Sequence, residues 1–143
     1  LIEQYLSLVG DNDYPIVAYN ISYEKTRLKE LSQLYPDLSA QIDCTIDRFV
    51  DLMLIIKDHF YDYRFYGSFS LKRVLPVLTN ESGYDELKGV QDGDGAQAQF
   101  YDLINNSLNK EDRIKVKKQL LEYCEKDTYS LVQIHQKLIS LLN

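Results

Sequence analysis

The stretch Ile16-Val17-Ala18-Tyr19-Asn20-Ile21-Ser22-Tyr23-Glu24 decides how the chain is read. Its first four residues are a short apolar run of the kind found in buried parallel strands, and Asn20 ends it. The preceding Gly10-Asp11-Asn12-Asp13-Tyr14-Pro15 is a turn. Ser22 is placed to cap a helix that runs to Tyr35, where Pro36 stops it. The seam of that helix is Leu28, Leu31 and Tyr35, and Glu24 lies one turn before Leu28. An acid thus takes a core-facing position in the first turn of a helix, just beyond the carboxyl end of a strand.

Working outward, residues 1–9 read as a helix entered midway. They lack an initiator Met, a basic leader and a cleavage site, so the chain is expected to be a cut piece of something longer. Phe49-Val50 closes a second strand, and Asp51 to His59 is helical. Tyr61 to Gly67 is aromatic and irregular. Ser68 or Ser70 caps a short helix through Leu78, and Asn80 to Tyr84 is a loop. Gln91-Asp92-Gly93-Asp94-Gly95 is a turn feeding a helix from Ala96 to Ser107. Lys110 to Leu142 reads as one helix, roughly 50 Å at 1.5 Å per residue. With no repeat, low-complexity tract or linker, residues 1–143 are expected to form a single α/β domain, mostly helical in this segment.

The last helix repeats the anomaly of the first. Its apolar positions are Leu120, Cys124, Leu131, Ile134, Leu138 and Leu141, and the gap after Cys124 is filled by Asp127. Glu122, Glu125 and Lys126 fall on the outer face, and Tyr123 precedes Asp127 by one turn. Burying a lone charge is costly. Each acid has a structural reading: Glu24 as a dipole partner at a rim, Asp127 as a hydrogen-bonded core polar. Taken together, two inward acids in an α/β pattern point to a site, because ligands bind at strand ends and clustered carboxylates favour Mg²⁺ or Mn²⁺.

Composition bounds the classes. Hydrophobic residues are 45% and charged residues 27%, as in a soluble globular protein, and no apolar run has the length of a membrane span. With 16 bases against 22 acids the net charge is −6, which argues against tight nonspecific duplex binding but not against a carboxylate-rich nuclease. Cys44 and Cys124 show no CxxC spacing and read as reduced thiols of a cytoplasmic protein. Two histidines without HExxH exclude a histidine-rich metal site, and no phosphate-binding glycine loop is present.

Residues 16–24 resemble the second motif of the DEDD exonuclease superfamily: a strand, an Asn, and an acid opening a helix. Tyr-Cys-Glu-Lys-Asp (123–127) resembles the third motif in its tyrosine form, Tyr-x-x-x-Asp. The segments 67–76, 91–96 and 120–128 look like an uncharacterised bacterial family of RNase H-like domains, the resemblance covering about residues 12–140. It implies a proofreading-exonuclease-like fold and metal-dependent 3′–5′ hydrolysis of single-stranded DNA or RNA, with four acids holding two ions, Mg²⁺ or Mn²⁺. Carried over, Glu24 and Asp127 are metal-binding acids, and Tyr123 orients the attacking water. Asn20 and Lys72 are the candidate substrate contacts. Glu24 stands where the proofreading enzymes usually have Asp, and reaches one methylene further. The first motif, Asp-x-Glu, does not occur in these residues. The chain then corresponds to the C-terminal two-thirds of the domain, inactive alone, beside a neighbouring nuclease region of the parent.

Other residues keep two readings. Lys72 is a solvated lysine or a phosphate contact, and Asp51 a strand-end acid or a cleft residue. Tyr61 to Phe69 either pack or stack bases. The basic run Lys110, Arg113, Lys115, Lys117 and Lys118 is a solvated helix end or a path for a nucleic-acid backbone. Asp11/Asp13 and Asp92/Asp94 read as turn chemistry. The alternatives to a nuclease are a non-catalytic module of the same fold that binds nucleic acid or scaffolds, and a helical protein-interaction domain.

Overall fold

A computed structural model describes residues 1–84, 87, 89–90 and 92–142. The chain divides into two compact units, Leu1–Tyr61 and Asp62–Asn143. Among the described residues it is mostly helical, with one two-stranded parallel sheet. No helix of these residues is long and apolar enough to cross a membrane.

The first unit is built around that strand pair. After α1 (Ile2–Val9), β1 (Ile16–Ala18) lies parallel to β2 (Phe49–Asp51), with Ile16 opposite Phe49, Val17 opposite Val50 and Ala18 opposite Asp51. A parallel pair needs a long crossover. Here it is α2 (Ser22–Leu34), a 3-10 turn at Pro36–Leu38, and α3 (Ser39–Asp47); α4 (Leu52–His59) follows β2. Leu28 of α2 meets Ile42 and Ile46 of α3 in the core, with Ile2, Tyr5, Leu6, Leu31, Leu38 and Phe49 packed around them. The strands and α2 fall where the periodicity places them. No expectation covers α3, whose helical signal is Ile42 and Ile46 one turn apart. Tyr35, expected on the seam of α2, is 48% exposed, because the helix ends at Leu34 and Pro36 redirects the chain.

Two polar side chains fix this unit. The Arg48 guanidinium donates to the carbonyls of Val9, Gly10 and Tyr14 and to Asn12 Oδ1, at 2.8–3.3 Å. It thereby satisfies carbonyls that the end of α1 leaves without helical partners. Gly10 allows the turn, with φ 70°. Asp51, the N-cap of α4, accepts from the Met53 N–H at 2.9 Å and also from the N–H groups of Asn20 (2.9 Å) and Ile21 (3.2 Å). Ser22 was expected to cap α2; Ile21 occupies that position and makes no side-chain cap bond. Asp51 instead anchors the entry to α2 by accepting the N–H groups of the two residues that precede the helix. Asn20 has φ 58°, a left-handed conformation that Asn tolerates, and it lets the strand turn into the helix.

The second unit packs α5 (Leu71–Thr79) and α6 (Gly93–Ile104) on α7 (Lys110–Ser140), which is about 46 Å long at 1.5 Å per residue. A 3-10 turn at Tyr63–Phe65 precedes them and is capped by Asp62, whose carboxylate accepts from the Arg64 backbone and guanidinium. Phe65, Val74, Leu75 and Ile134 are fully buried. α6 begins three residues before the expected Ala96, because Asp92 Oδ1 accepts from the Gly95 N–H at 2.7 Å and starts the helix early. Gln91, part of the expected turn, lies outside the described residues. Ser70 precedes α5 but makes no side-chain cap bond.

The inward face of α7 runs through Tyr123, Asp127, Ser130 and Ile134. Cys124 is exposed, although apolar spacing placed it on the seam. The face is centred instead on Ser130, which is fully buried and whose hydroxyl donates to the Lys126 carbonyl at 2.7 Å. A polar residue therefore holds the centre of the face, and a seam traced through apolar residues alone comes out rotated. Lys126, expected on the outer face, is half-buried and reaches the Ser82 carbonyl at 2.9 Å.

Replacing Asp51 by Ala removes one carboxylate that three backbone N–H groups share. Urea unfolding followed by circular dichroism is expected to show a loss of about 2–3 kcal/mol, the scale of a lost cap plus charge-assisted hydrogen bonds. Asp51→Asn, which keeps an acceptor oxygen, is expected to lose less.

Candidate functional site

The residues singled out by sequence fall in both units. In the first, Glu24 stands in the first turn of α2, beyond the carboxyl end of β1. It is half-buried, and its Oε2 is buried with no hydrogen-bond partner. A carboxylate oxygen in that condition is unusual, because buried polar atoms are nearly always paired. Asn20 is exposed at the same strand end; its Oδ1 accepts from the Ser22 hydroxyl at 3.3 Å. Asp51 is committed to the backbone N–H groups around it. Nearby Tyr19 has its phenol pushed up by burial first and by the Asp51 charge second.

In the second unit the structure brings Lys72, Tyr84, Tyr123 and Asp127 together. Tyr123 and Asp127 sit one turn apart on the inward face of α7. The Tyr84 hydroxyl donates to Asp127 Oδ1 at 2.5 Å, and its ring lies 6.1 Å from that of Tyr123, tilted by 50°. The exposed Lys72 holds its ammonium 5.7 Å from the centre of the Tyr84 ring, within cation–π range. Tyr84 itself is 4% exposed. It follows α5, two residues beyond Ser82, whose carbonyl accepts from Lys126 of α7. At Gly89, with φ 155°, an added Cβ would lie 2.6 Å from the Gln119 side chain.

The electrostatics follow from this packing. Burial pushes the Tyr84 phenol well above its ordinary range, and its hydrogen bond to the Asp127 carboxylate adds to the shift. Tyr123 is pushed up to about 12, by burial first and then by the adjacent Asp127 charge. Both phenols are therefore neutral donors at neutral pH, aimed around one carboxylate. Such an arrangement orients the Asp127 carboxylate.

Glu24 belongs to one unit and Asp127 to the other. A hard divalent ion needs several oxygen ligands at once. Among the described residues, no three His, Cys, Asp or Glu side chains form a group that would hold one. Asp127 has one oxygen on Tyr84, and Asp51 has both on backbone N–H groups. Glu24 Oε2 is an uncommitted oxygen, which is one ligand rather than a centre. The described residues do not by themselves fit a Mg²⁺ or Mn²⁺ site.

Other candidates have structural explanations. Tyr61, Tyr63 and Tyr66 are 74–78% exposed, while Phe65 is buried and packs edge-to-face on Phe69 at 5.8 Å. Arg73 lies over the Tyr66 ring. Sequence reasoning missed Tyr84. A lone tyrosine closing a polar loop was its only signal, and nothing local says that the hydroxyl reaches residue 127.

Asp127→Asn removes the charge that helps hold both phenols neutral. The Tyr123 pKa is expected to fall from about 12 toward the ordinary 10. Absorbance titration at high pH, read as the difference from a Tyr123→Phe protein, measures it. The folded pKa is raised, so the linked stability is whole below pH 10 and is lost as pH climbs through about 12.

No solved structure matches the chain. Over 135 residues, 86% of its length, it is 30% identical to "Uncharacterized protein MG366" of Mycoplasma genitalium. It is 29% identical over the same length to "Uncharacterized protein MG366 homolog" of Mycoplasma pneumoniae. The chain spans about a fifth of the length of these relatives. Residues 1–70 match the family described as "Domain of unknown function (DUF2779)". That similarity runs through the strand pair, Asn20, Glu24 and Asp51, and stops before Lys72, Tyr84, Tyr123 and Asp127.

Proposed function

We propose that the chain is the C-terminal two-thirds of an RNase H-like domain of the DEDD type, tyrosine form. When joined to the missing first acidic motif, that domain hydrolyses phosphodiesters of single-stranded DNA or RNA from the 3′ end. The observation that carries this reading is the buried, uncommitted Oε2 of Glu24 at the carboxyl end of β1. Open α/β folds bind ligands at that end of the sheet. An oxygen kept from water without a partner is what a donor set lacking its other members leaves behind.

In this reading Glu24 and Asp127 supply two of the four acids. The four acids of such a domain would together hold Mg²⁺ or Mn²⁺, and the first-motif pair, Asp-x-Glu, does not occur in these 143 residues. Tyr123, kept neutral by burial beside Asp127, orients the attacking water through its hydroxyl. Tyr84 holds Asp127 in place. The exposed Lys72 ammonium meets substrate phosphate, and Asn20 lines the strand end.

The purified 143-residue chain is expected to leave single-stranded DNA intact in Mn²⁺. A chain extended upstream to include an Asp-x-Glu strand is expected to degrade it. In the extended chain, Asp127→Asn is expected to abolish turnover. Tyr123→Phe is expected to cost about 10²–10³-fold, the scale of one lost transition-state hydrogen bond, with the melting temperature nearly unchanged. Mn²⁺-dependent degradation by the 143-residue chain, or full activity in the extended Asp127→Asn protein, overturns the reading.

A further inference from the structure

The last turns of α6 and the first turns of α7 enclose an open groove of about 700 Å³ in the second unit. Its floor is Phe100, Leu103 and Ile104 of α6 and Ile114 of α7, and its rim is Lys110, Arg113 and Lys117. Phe100, Ile104 and Ile114 are 56%, 56% and 66% exposed. Leu121, also exposed, continues the apolar strip two turns beyond Ile114 on the same side of α7. Contiguous exposed apolar side chains with a polar rim mark an interaction surface.

The charge of the rim says what kind. The chain carries six more acids than bases, yet no acid lines this groove. Among the described residues, Lys110 and Lys117 pair with no acid. Arg113 is held by the Leu103 carbonyl at 2.9 Å and by Asn106 Oδ1 at 2.5 Å. Those bonds tie the start of α7 to the end of α6, so the groove is shaped before anything enters it.

We propose that this groove docks an amphipathic helix of a partner protein, with apolar anchors on the floor and Asp or Glu against Lys110, Arg113 and Lys117. Helices bind grooves through anchors at i, i+3, i+4 and i+7, and aliphatic walls suit them. A single nucleic-acid strand wants aromatic platforms, and this floor holds one aromatic against three aliphatics. A second copy seated on the groove by a two-fold axis would bring the cationic rim against itself, which is repulsive. The inference does not depend on the acids of α2 and α7 acting in hydrolysis.

The probe is a fluorescein-labelled helical peptide of about 18 residues, five turns, with Leu at i, i+3, i+4 and i+7 and Glu on both flanks. Anisotropy with the 143-residue chain is expected to show saturable binding that a scrambled peptide of the same composition does not match. Ile114→Glu is expected to weaken it by about tenfold or more, as loss of a central anchor does. Lys110→Glu with Lys117→Glu is expected to weaken it by about tenfold and to reverse its salt dependence. These side chains are exposed, and circular dichroism checks the fold; Ile114→Ser repeats the anchor test without adding charge. Equal binding of the scrambled peptide, no binding, or unchanged affinity in the variants overturns the proposal. So does labelled oligothymidylate binding that the charge reversals abolish and Ile114→Ser spares. Self-association in sedimentation that Ile114→Glu abolishes would assign the groove to a second copy instead.

Discussion

One carboxylate organises the first unit. Asp51 ends β2, caps α4, and accepts the N–H groups of Asn20 and Ile21 where β1 turns into α2. A three-residue parallel ladder has few hydrogen bonds of its own, so its open end depends on such a bridge. The position of Glu24 follows directly, because it is the third residue of the helix whose entry Asp51 anchors. Arg48 does the complementary work at the other end of the pair, collecting carbonyls of the α1–β1 connection while its own carbonyl receives the Ile16 N–H. An acid at one end and a base at the other thus set the register that apolar packing alone would leave loose.

The second unit solves a different problem, that of a carboxylate on the inward face of a long helix. Asp127 is tolerated there because two neutral phenols stand beside it, one of them bonded to it. Hydrogen bonds to a charged acceptor are among the stronger ones available to a protein. Fully buried Ser130 and half-buried Lys126, which reaches the Ser82 carbonyl, extend the same polar ridge.

Much of this was legible in the sequence where the signal is local. The apolar run at 16–19, the helix that Pro36 stops, the strand at Phe49 and the long last helix all declare themselves through spacing and breakers. Glu24 and Asp127 stand out as candidates because each interrupts an apolar pattern. What escaped was long-range. α3 has too short an apolar repeat to announce a helix until Leu28 packs on it. Ser22 looks like a cap by residue type, yet it makes no cap bond, and the entry to its helix is held by Asp51, thirty residues beyond Ile21. Cys124 looks like core, yet a buried serine shifts the face. Tyr84 acts over 43 residues through one hydroxyl, and no window of sequence contains both partners.

The wide separation of β1 from β2 has a kinetic consequence. Ile16 and Phe49 are partners in the ladder, and the chain between them is mostly α2 and α3. Closing a loop of that length from a disordered chain costs about 3 kcal/mol of entropy on the logarithmic scaling with loop length. Three-residue strands offset little of that. Helix pairing through Leu28, Ile42 and Ile46 joins residues much nearer in sequence, and it brings the strand ends toward each other before they bond. Loop-closure entropy therefore favours the helical hairpin as the nucleus of this unit, with the sheet and the Asp51 bridge expected to form after it.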